Sequence, residues 1–171
     1  MGTSGLLVFV LGTQRRATYC HYDSYPTGLG QDIVDFILKL KPEQYAIMNQ
    51  NLEKLEWVGR DVQVPKDLQE KYQKLGYSEP SGDERATEWY WILRKLQGAQ
   101  ALKPILDGEL EHLVEVKLND YIPAFSYFVD FKEMTLETRT YDKVVDKVSF
   151  QTLAELKRDY MKNLEKKLDN E

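Results

Sequence analysis

Strand-like sequence is confined to the two ends of this chain. Near the start, an apolar run at residues 6–11 and an aromatic, β-branched segment at residues 16–23 flank a short polar connection, which predicts a β-hairpin. Near the end, alternating apolar residues predict a three-strand antiparallel meander over 112–118, 125–131 and 135–141. No strand is readable between residues 23 and 112, whereas a parallel sheet needs strands that alternate with helices. We therefore expect one α+β domain over residues 1–171, with an antiparallel sheet of about five strands packed with helices.

Helical periodicity fills the middle of the chain. Apolar residues at helical spacing begin after Gly30, and Pro42 and Pro65 stand where two further helices would begin. A fourth helix is predicted over residues 84–97, with Asp83 as its N-cap. Hydrophobic residues make up 42% of the chain and charged residues 30%, which is ordinary for a globular protein with one core.

The last segment predicts a C-terminal amphipathic helix over residues 149–168. Ser149 has the side chain of an N-cap, and apolar residues follow it at helical spacing. We expect Leu153, Leu156 and Tyr160 to pack against the body of the domain, because an exposed apolar stripe would favour aggregation.

The segment at residues 19–30 holds the densest group of side chains that can do chemistry, and it reads Y-C-H-Y-D-S-Y-P-T-G-L-G. Side chains alternate between the faces of a strand, so Tyr19, His21 and Asp23 are expected on one face and Cys20 on the other. This parity argues against a catalytic pair of Cys20 and His21. A carboxylate beside an imidazole can fix its tautomer, so His21 and Asp23 are the candidate catalytic residues if the protein is an enzyme.

A proline and two glycines follow this strand and lead into the first helix. Such a junction leaves unpaired backbone N–H groups at the helix start, and these groups can bind an anion. Tyr25, Gly28 and Gly30, together with Tyr19, are therefore candidate ligand-binding residues. The segment lacks the third glycine of a dinucleotide fingerprint and the G-K-[ST] of a phosphate-binding loop. The alternative is a tight turn that lets the helix fold back on the sheet.

The start of the chain resembles a group of uncharacterised proteins from fungi and phages. Those proteins begin with M-G-T-R-G or a similar run and carry a Y-x-H-[WY]-D-[GS]-Y-P segment that ends in a glycine pair. The matching stretches here are M-G-T-S-G and Y-C-H-Y-D-S-Y-P-T-G-L-G, within about the first forty residues. Ser4 stands where many of those proteins have arginine. The group has no known activity, so the resemblance implies a grouping and no mechanism.

The sequence has few side chains that could bind a metal ion or form a disulfide. The chain has two histidines and one cysteine, with no spacing typical of a zinc site and no possible intrachain disulfide. A lone cysteine favours a reducing compartment, so a cytoplasmic or nuclear location is expected. A cluster of His21, Asp23 and Asp130 is conceivable for a harder metal, but Asp130 also fits the water-facing side of a strand. We expect no metal and no cofactor.

Charge and aromatic content narrow the class of partner. The net charge of −5 argues against nucleic acid, and the apolar run at residues 6–11 is too short to span a membrane. Eleven tyrosines suit either a small-molecule pocket or a protein-binding surface. A binding module that uses residues 19–30 is therefore the first expectation. A small hydrolase or transferase, with His21 as base and Asp23 orienting it, is the alternative, although no second catalytic motif such as G-x-S-x-G supports it.

Overall fold

A five-stranded sheet forms the centre of the fold. The structure is a computed structural model, and it describes residues 3–79 and 84–171. The described strands are β1 (Gly5–Leu11), β2 (Gln14–Cys20), β3 (Glu56–Val58), β4 (His112–Val114), β5 (Phe125–Asp130), β6 (Thr135–Thr140) and β7 (Lys143–Ser149). The order in the main sheet is β2-β1-β5-β6-β7, and every neighbouring pair is antiparallel except β1 and β5. The predicted α+β class, with a mostly antiparallel sheet of five strands, is confirmed.

The make-up of the meander differs from the prediction in one strand. The third strand of the meander is β7, whereas β4 pairs in parallel with β3 in a separate two-stranded sheet. Alternation marks a segment as a strand but does not identify its neighbour, and β3 is too short, at three residues, to show a pattern. The parallel pairing of β1 with β5 joins the N-terminal hairpin to the meander, with Gly5 opposite Phe125.

Helices cover one face of the main sheet. They are α1 (Gln31–Lys39), α2 (Pro42–Lys54), α3 (Lys66–Lys74), α4 (Trp89–Ile92), α5 (Leu102–Leu106), α6 (Phe150–Leu156) and α7 (Arg158–Asp169). A π-helical turn, Pro26–Gly30, precedes α1, and 3-10 turns occupy Glu84–Thr87, Arg94–Leu96 and Gly98–Ala101. None of the helices in the described part of the chain has the length and hydropathy needed to cross a bilayer.

The two faces of the sheet differ in what they pack against. Leu7, Phe9 and Tyr127 are fully buried on the helical face, in the main core. The opposite face carries a smaller cluster of buried residues, which are Leu6, Val8, Ala17 and Phe128. Tyr19 and Tyr121 pack against this smaller cluster, so Tyr19 lies on the sheet face that the helices do not cover.

The helix predicted over residues 84–97 is broken into short pieces. Its proposed cap, Asp83, lies outside the described residues. Glu88 has an extended backbone, with φ −84° and ψ 155°. The residues beside it donate and accept backbone hydrogen bonds with residues 60–64, for example Val64 N–H to Thr87 O at 2.9 Å and Trp89 N–H to Val62 O at 3.0 Å. These bonds hold the chain extended at Glu88 and prevent a continuous helix.

The C-terminal segment begins as predicted and then bends. The Oγ of Ser149 accepts the backbone N–H of Thr152 at 3.1 Å, which is the predicted N-cap. Lys157 has φ 52° and ψ −128° and separates α6 from α7. Leu153 and Tyr160 are buried as predicted, but Leu156 is 45% exposed because the chain leaves the helical path at the next residue. The prediction that Leu156 packs on the domain was wrong.

Candidate functional site

The candidate site lies where β2 ends, at the edge of the main sheet. β2 stops at Cys20, so the strand parity that placed His21 and Asp23 on one face does not reach them. The chain turns away from the sheet through Asp23, whose backbone is left-handed with φ 50°. Asp is one of the residues that tolerate this conformation. Up to Cys20 the predicted parity holds, because Tyr19 packs on the smaller cluster and Cys20 packs on the main core.

The imidazole of His21 is held on one side only. The Nδ1 of the ring lies 2.9 Å from the Oη of Tyr19. The backbone N–H of His21 donates to Oε1 of Gln97 at 3.2 Å. The ring of Tyr22 meets it edge-on, with centroids 4.3 Å apart. No residue in the described part of the chain bonds the Nε2 of His21. One nitrogen of a partly buried histidine is therefore available to a ligand.

The predicted hydrogen bond between His21 and Asp23 is absent from the described structure. Asp23 is exposed, and its left-handed backbone carries the side chain away from the strand direction on which the prediction rested. Tyr19 takes the place of Asp23 as the partner of His21. Burial raises the pKa of Tyr19 above its ordinary value, so the phenol keeps its proton at neutral pH. When that phenol donates to Nδ1, the neutral imidazole carries its own proton on Nε2.

His21 and Asp23 nevertheless line the same cavity, which has a volume of about 270 Å³. It lies between the end of β2, the start of α1 and the 3-10 turns that follow α4. The other residues whose chemistry matters in its wall are Cys20, Leu29, Asp32, Arg94, Lys95 and Gln97. The cavity therefore brings together a free imidazole nitrogen, two carboxylates and two cations. We call it the His21 cavity.

The glycine loop does not present its backbone donors to the His21 cavity. The N–H groups of Gly28 and Gly30 both donate to the carbonyl oxygen of Tyr25, and the N–H of Leu29 donates to that of Asp23. A Cβ on Gly28 would lie 2.1 Å from the Asp23 oxygen, so this glycine allows a close approach of two backbone segments. The tight-turn alternative describes this geometry.

The remaining predicted ligand-binding residues lie beside the cavity and not in its wall. Gly30 is buried, and a Cβ there would lie 3.0 Å from Sδ of Met161. Tyr25 is 41% exposed and its ring packs beside Phe125, with centroids 5.7 Å apart. Ligand binding by Tyr25, Gly28 and Gly30 stays a prediction, and any such contact needs groups other than the loop N–H donors.

Cys20 contributes a neutral thiol to the cavity wall. Burial raises the pKa of Cys20, and its Sγ donates to the backbone oxygen of Tyr22 at 3.3 Å. Gly98 lies close against it, since a Cβ on Gly98 would come within 2.7 Å of the sulfur. The thiolate is the nucleophilic form of cysteine, so this environment disfavours covalent catalysis by Cys20.

The second histidine differs from His21 because both of its nitrogens are bonded. Nδ1 of His112 lies 2.7 Å from the Oη of Tyr72, and Nε2 lies 3.1 Å from a carboxylate oxygen of Glu56. The backbone N–H of Glu111 also donates to the Tyr72 oxygen at 3.2 Å. The carboxylate of Glu56 can only accept, so Nε2 of His112 carries a hydrogen and donates to it. His112 is buried and stacks on Trp89, with centroids 4.7 Å apart. These contacts give His112 a structural role, although it borders a cavity of about 420 Å³.

Asp130 lies far from His21, so the conceivable cluster of three residues is not formed. Its Oδ1 accepts the backbone N–H groups of Lys132 and Glu133 at 3.0 and 2.9 Å, which stabilises the turn between β5 and β6. The His21 end of the sheet is marked by Phe125 at the start of β5, and Asp130 is roughly 16 Å further along that strand. In residues 3–79 and 84–171, no group of three or more His, Cys, Asp or Glu side chains is arranged to hold a metal ion.

The sequence did not predict that three wall residues of the His21 cavity lie near His21. Arg94, Lys95 and Gln97 come from a segment that the apolar spacing assigned to one helix, and they lie more than seventy positions from His21. Such contacts depend on how the broken segment folds back, which no local pattern records.

Comparison with protein-family models, with curated proteins and with solved structures gave no significant match.

Proposed function

We propose that this chain is a binding module that takes a small polar molecule into the His21 cavity. The observation that supports this most is the state of His21, which is anchored through Nδ1 by Tyr19 and has no partner on Nε2 in the described chain. A polar group that is fixed in orientation but unsatisfied suits recognition of a ligand hydrogen-bonding group. Binding of a ligand to Nε2 would complete the hydrogen bonding of this side chain.

Comparison of the two histidines supports the same proposal. His112 uses both nitrogens in contacts with Tyr72 and Glu56, as a structural histidine does. His21 has the same kind of tyrosine contact on Nδ1, but no carboxylate of residues 3–79 and 84–171 bonds its Nε2. The missing partner is therefore specific to the residue that lines the mixed-charge cavity.

The alternative of a small hydrolase or transferase has weaker support. A catalytic histidine is commonly oriented by a carboxylate, which also stabilises the imidazolium that forms. His21 has a neutral phenol in that position, and Cys20 is a neutral thiol. The shared cavity of His21 and Asp23 favours catalysis, but His21 lacks an orienting carboxylate among the described residues, so binding is the proposal.

We also propose that the protein acts in the cytosol or the nucleus, with a small molecule and not nucleic acid as its partner. The free thiol of Cys20 fits a reducing compartment. The net charge of −5 disfavours contact with a phosphate backbone. Cell fractionation of the tagged protein tests the location.

The binding proposal is tested by following the two histidine side chains by NMR during a screen of small polar metabolites and fragments. A ligand in the His21 cavity should shift the ring nitrogen signals of His21 and leave those of His112 unchanged. The His112 signals thus serve as an internal control in every sample. A screen in which no compound shifts the His21 signals would argue against the proposal.

Two substitutions of His21 form a matched pair, and binding to them is measured by isothermal titration calorimetry because the variants lack the His21 ring. His21→Asn keeps an amide near the position of Nδ1, where Tyr19 bonds, and removes the atom at Nε2, whereas His21→Gln reaches the position of Nε2. Binding should be lost in His21→Asn while its thermal midpoint stays near that of the wild type, and His21→Gln should retain part of the affinity. A ligand that binds His21→Asn as tightly as the wild type would show that Nε2 is not its contact.

A further inference from the structure

The charged residues of the His21 cavity are sorted onto separate walls. Asp23, in the loop after β2, and Asp32, in the first turn of α1, form an acidic wall. Arg94 and Lys95, in the 3-10 turn after α4, form a basic wall. These two walls come from parts of the chain that are about sixty residues apart, and the fold brings them to one cavity.

The two walls do not neutralise each other. Among the described residues, no ion pair joins Asp23 or Asp32 to Arg94 or Lys95. In the described part of the chain, Arg94 pairs with Glu79, whose carboxylate oxygen lies 3.9 Å from Nε of Arg94, which is the long limit of an ion pair. Unlike charges that share a cavity without pairing keep their electrostatic attraction for a third molecule placed between them.

Arg94, the less exposed residue of the basic wall, lies against aromatic rings. The guanidinium of Arg94 lies 5.4 Å from the ring centre of Tyr90 and 6.0 Å from that of Tyr22, and its side chain is only 16% exposed. A guanidinium stacked in this way keeps its N–H edges directed and loses little freedom when it binds an anion. The backbone of the acidic wall belongs to α1 and to the tight turn at Asp23, so Arg94 is the charged side chain that is preorganised and the exposed Asp23, Asp32 and Lys95 can adjust to a ligand.

We infer that the ligand of the His21 cavity is a small zwitterion, with an ammonium group towards Asp23 and Asp32 and a carboxylate towards Arg94 and Lys95. This inference rests on the proposed function and adds the chemical class of the ligand. Nε2 of His21 and the side-chain amide of Gln97 supply neutral hydrogen bonds between the charged ends, and Leu29 supplies apolar surface. A volume of about 270 Å³ accommodates a molecule of the size of an amino acid.

The environment of Asp32 supports an ammonium partner. Asp32 is exposed as a residue, but desolvation of its carboxyl group, with a smaller contribution from the nearby Asp35, raises its pKa above the ordinary value. A carboxylate in such a setting gains more from a cation than a fully solvated one does, because the cation offsets the cost of its ionisation. Binding of an ammonium group should therefore lower the pKa of Asp32.

The test uses ω-amino acids of increasing length, from glycine upward. Each is compared with two matched compounds of equal chain length, an amine that lacks the carboxylate and a carboxylic acid that lacks the ammonium group. Affinities are measured by isothermal titration calorimetry, which serves the wild type and every variant, and the His21 signals in NMR spectra of the wild type locate the bound compound. One ω-amino acid should bind at least about tenfold more tightly than either matched compound with a single charge, which corresponds to about 1.4 kcal/mol. Equal affinity for the zwitterion and one matched compound would overturn the inference.

Isosteric variants assign each charged end to its wall. Asp32→Asn should lower the affinity for the ω-amino acid and for the amine but not for the carboxylic acid. Lys95→Gln should lower the affinity for the ω-amino acid and for the carboxylic acid but not for the amine. Asp159→Asn and Lys39→Gln are matched controls, because these exposed residues do not line the cavity. Equal losses in the cavity variants and in the controls would overturn the assignment of the walls.

The outcomes separate this inference from the function on which it rests. If only a carboxylic acid or only an amine binds, and His21→Asn abolishes that binding, the binding module stands and the zwitterion is refuted. If no compound of the series shifts the His21 signals but another class does, the zwitterion is again refuted and the cavity keeps its role. If no compound of any class shifts them, both proposals fail.

Discussion

Replacement of Gly28 by alanine should destabilise the fold by pushing a methyl group into the backbone of Asp23. A Cβ at Gly28 would lie 2.1 Å from the carbonyl oxygen of Asp23 and 3.0 Å from its carbonyl carbon. Backbone atoms cannot rotate out of the way as the end of a flexible side chain can, so the loop itself must move. The same oxygen accepts the N–H of Leu29 at 2.8 Å, and the movement would stretch that hydrogen bond.

The expected loss follows from these contacts. Overpacking of this kind costs about 1–3 kcal/mol, and the weakened hydrogen bond adds up to about 1 kcal/mol. Gly28 lies in the π-helical turn, where the higher helix propensity of alanine returns up to about 1 kcal/mol. The net loss in free energy of unfolding is about 2 kcal/mol. For a chain of 171 residues this lowers Tm by roughly 6 °C.

Urea denaturation at neutral pH measures this loss, with Gly30→Ala as the matched control in the same loop. A Cβ on Gly30 would meet Sδ of Met161 and Cε1 of Tyr127 at 3.0 Å, and the methionine side chain can adjust. Gly30→Ala should therefore cost less than Gly28→Ala. A Gly28→Ala protein within about 0.5 kcal/mol of the wild type would refute the reasoning, because that is the range of an ordinary surface substitution.

Three further substitutions test other parts of the fold. Tyr127→Phe removes the hydroxyl that donates to the backbone oxygen of Ser24 at 2.7 Å and should cost about 1–3 kcal/mol in urea denaturation. Burial raises the pKa of Tyr127 far above its usual range, so only the unfolded chain ionises it and stability should fall as the pH rises above about 10. That alkaline loss should be smaller in Tyr127→Phe, and an equal loss would contradict this account. Ser149→Ala removes the N-cap of α6 and should lower the free energy of unfolding by about 1 kcal/mol, and an unchanged midpoint would contradict the capping role. Lys157→Gly should raise the free energy of unfolding by about 1 kcal/mol, because φ is 52° at this position and glycine adopts such a backbone without strain. A less stable variant would show that the conformation is not strained.

The fold class was predictable because strand patterns occupy the ends of the chain and helical patterns occupy the middle. The partners of the strands were not predictable to the same extent. The alternation at residues 112–118 identified a strand whose first part forms as β4 (His112–Val114), yet nothing local showed that its neighbour is β3 and not β5. The parallel contact of β1 and β5 joins residues about 120 positions apart, and pairing at that distance depends on the whole fold.

The candidate site was predictable in its centre and not in its surroundings. Strand parity correctly placed Tyr19 and Cys20 on opposite faces, because both still belong to β2. The same rule failed for Asp23, because a left-handed turn ends the alternation. The basic wall of the cavity was missed entirely, since the segment around Arg94 reads as a helix and folds as short turns.

The two interpretations of residues 19–30, as a ligand site and as a tight turn, apply to different atoms of the same residue. The main chain of Asp23 serves the turn, because its oxygen accepts the N–H of Leu29 and lies against Gly28. Aspartate tolerates the left-handed backbone that this turn requires, so the turn accommodates the side chain. The carboxylate of Asp23 is exposed at the wall of the His21 cavity and has no partner in the described chain. The main chain of Asp23 therefore serves the turn, while its side chain remains available to the ligand that we propose.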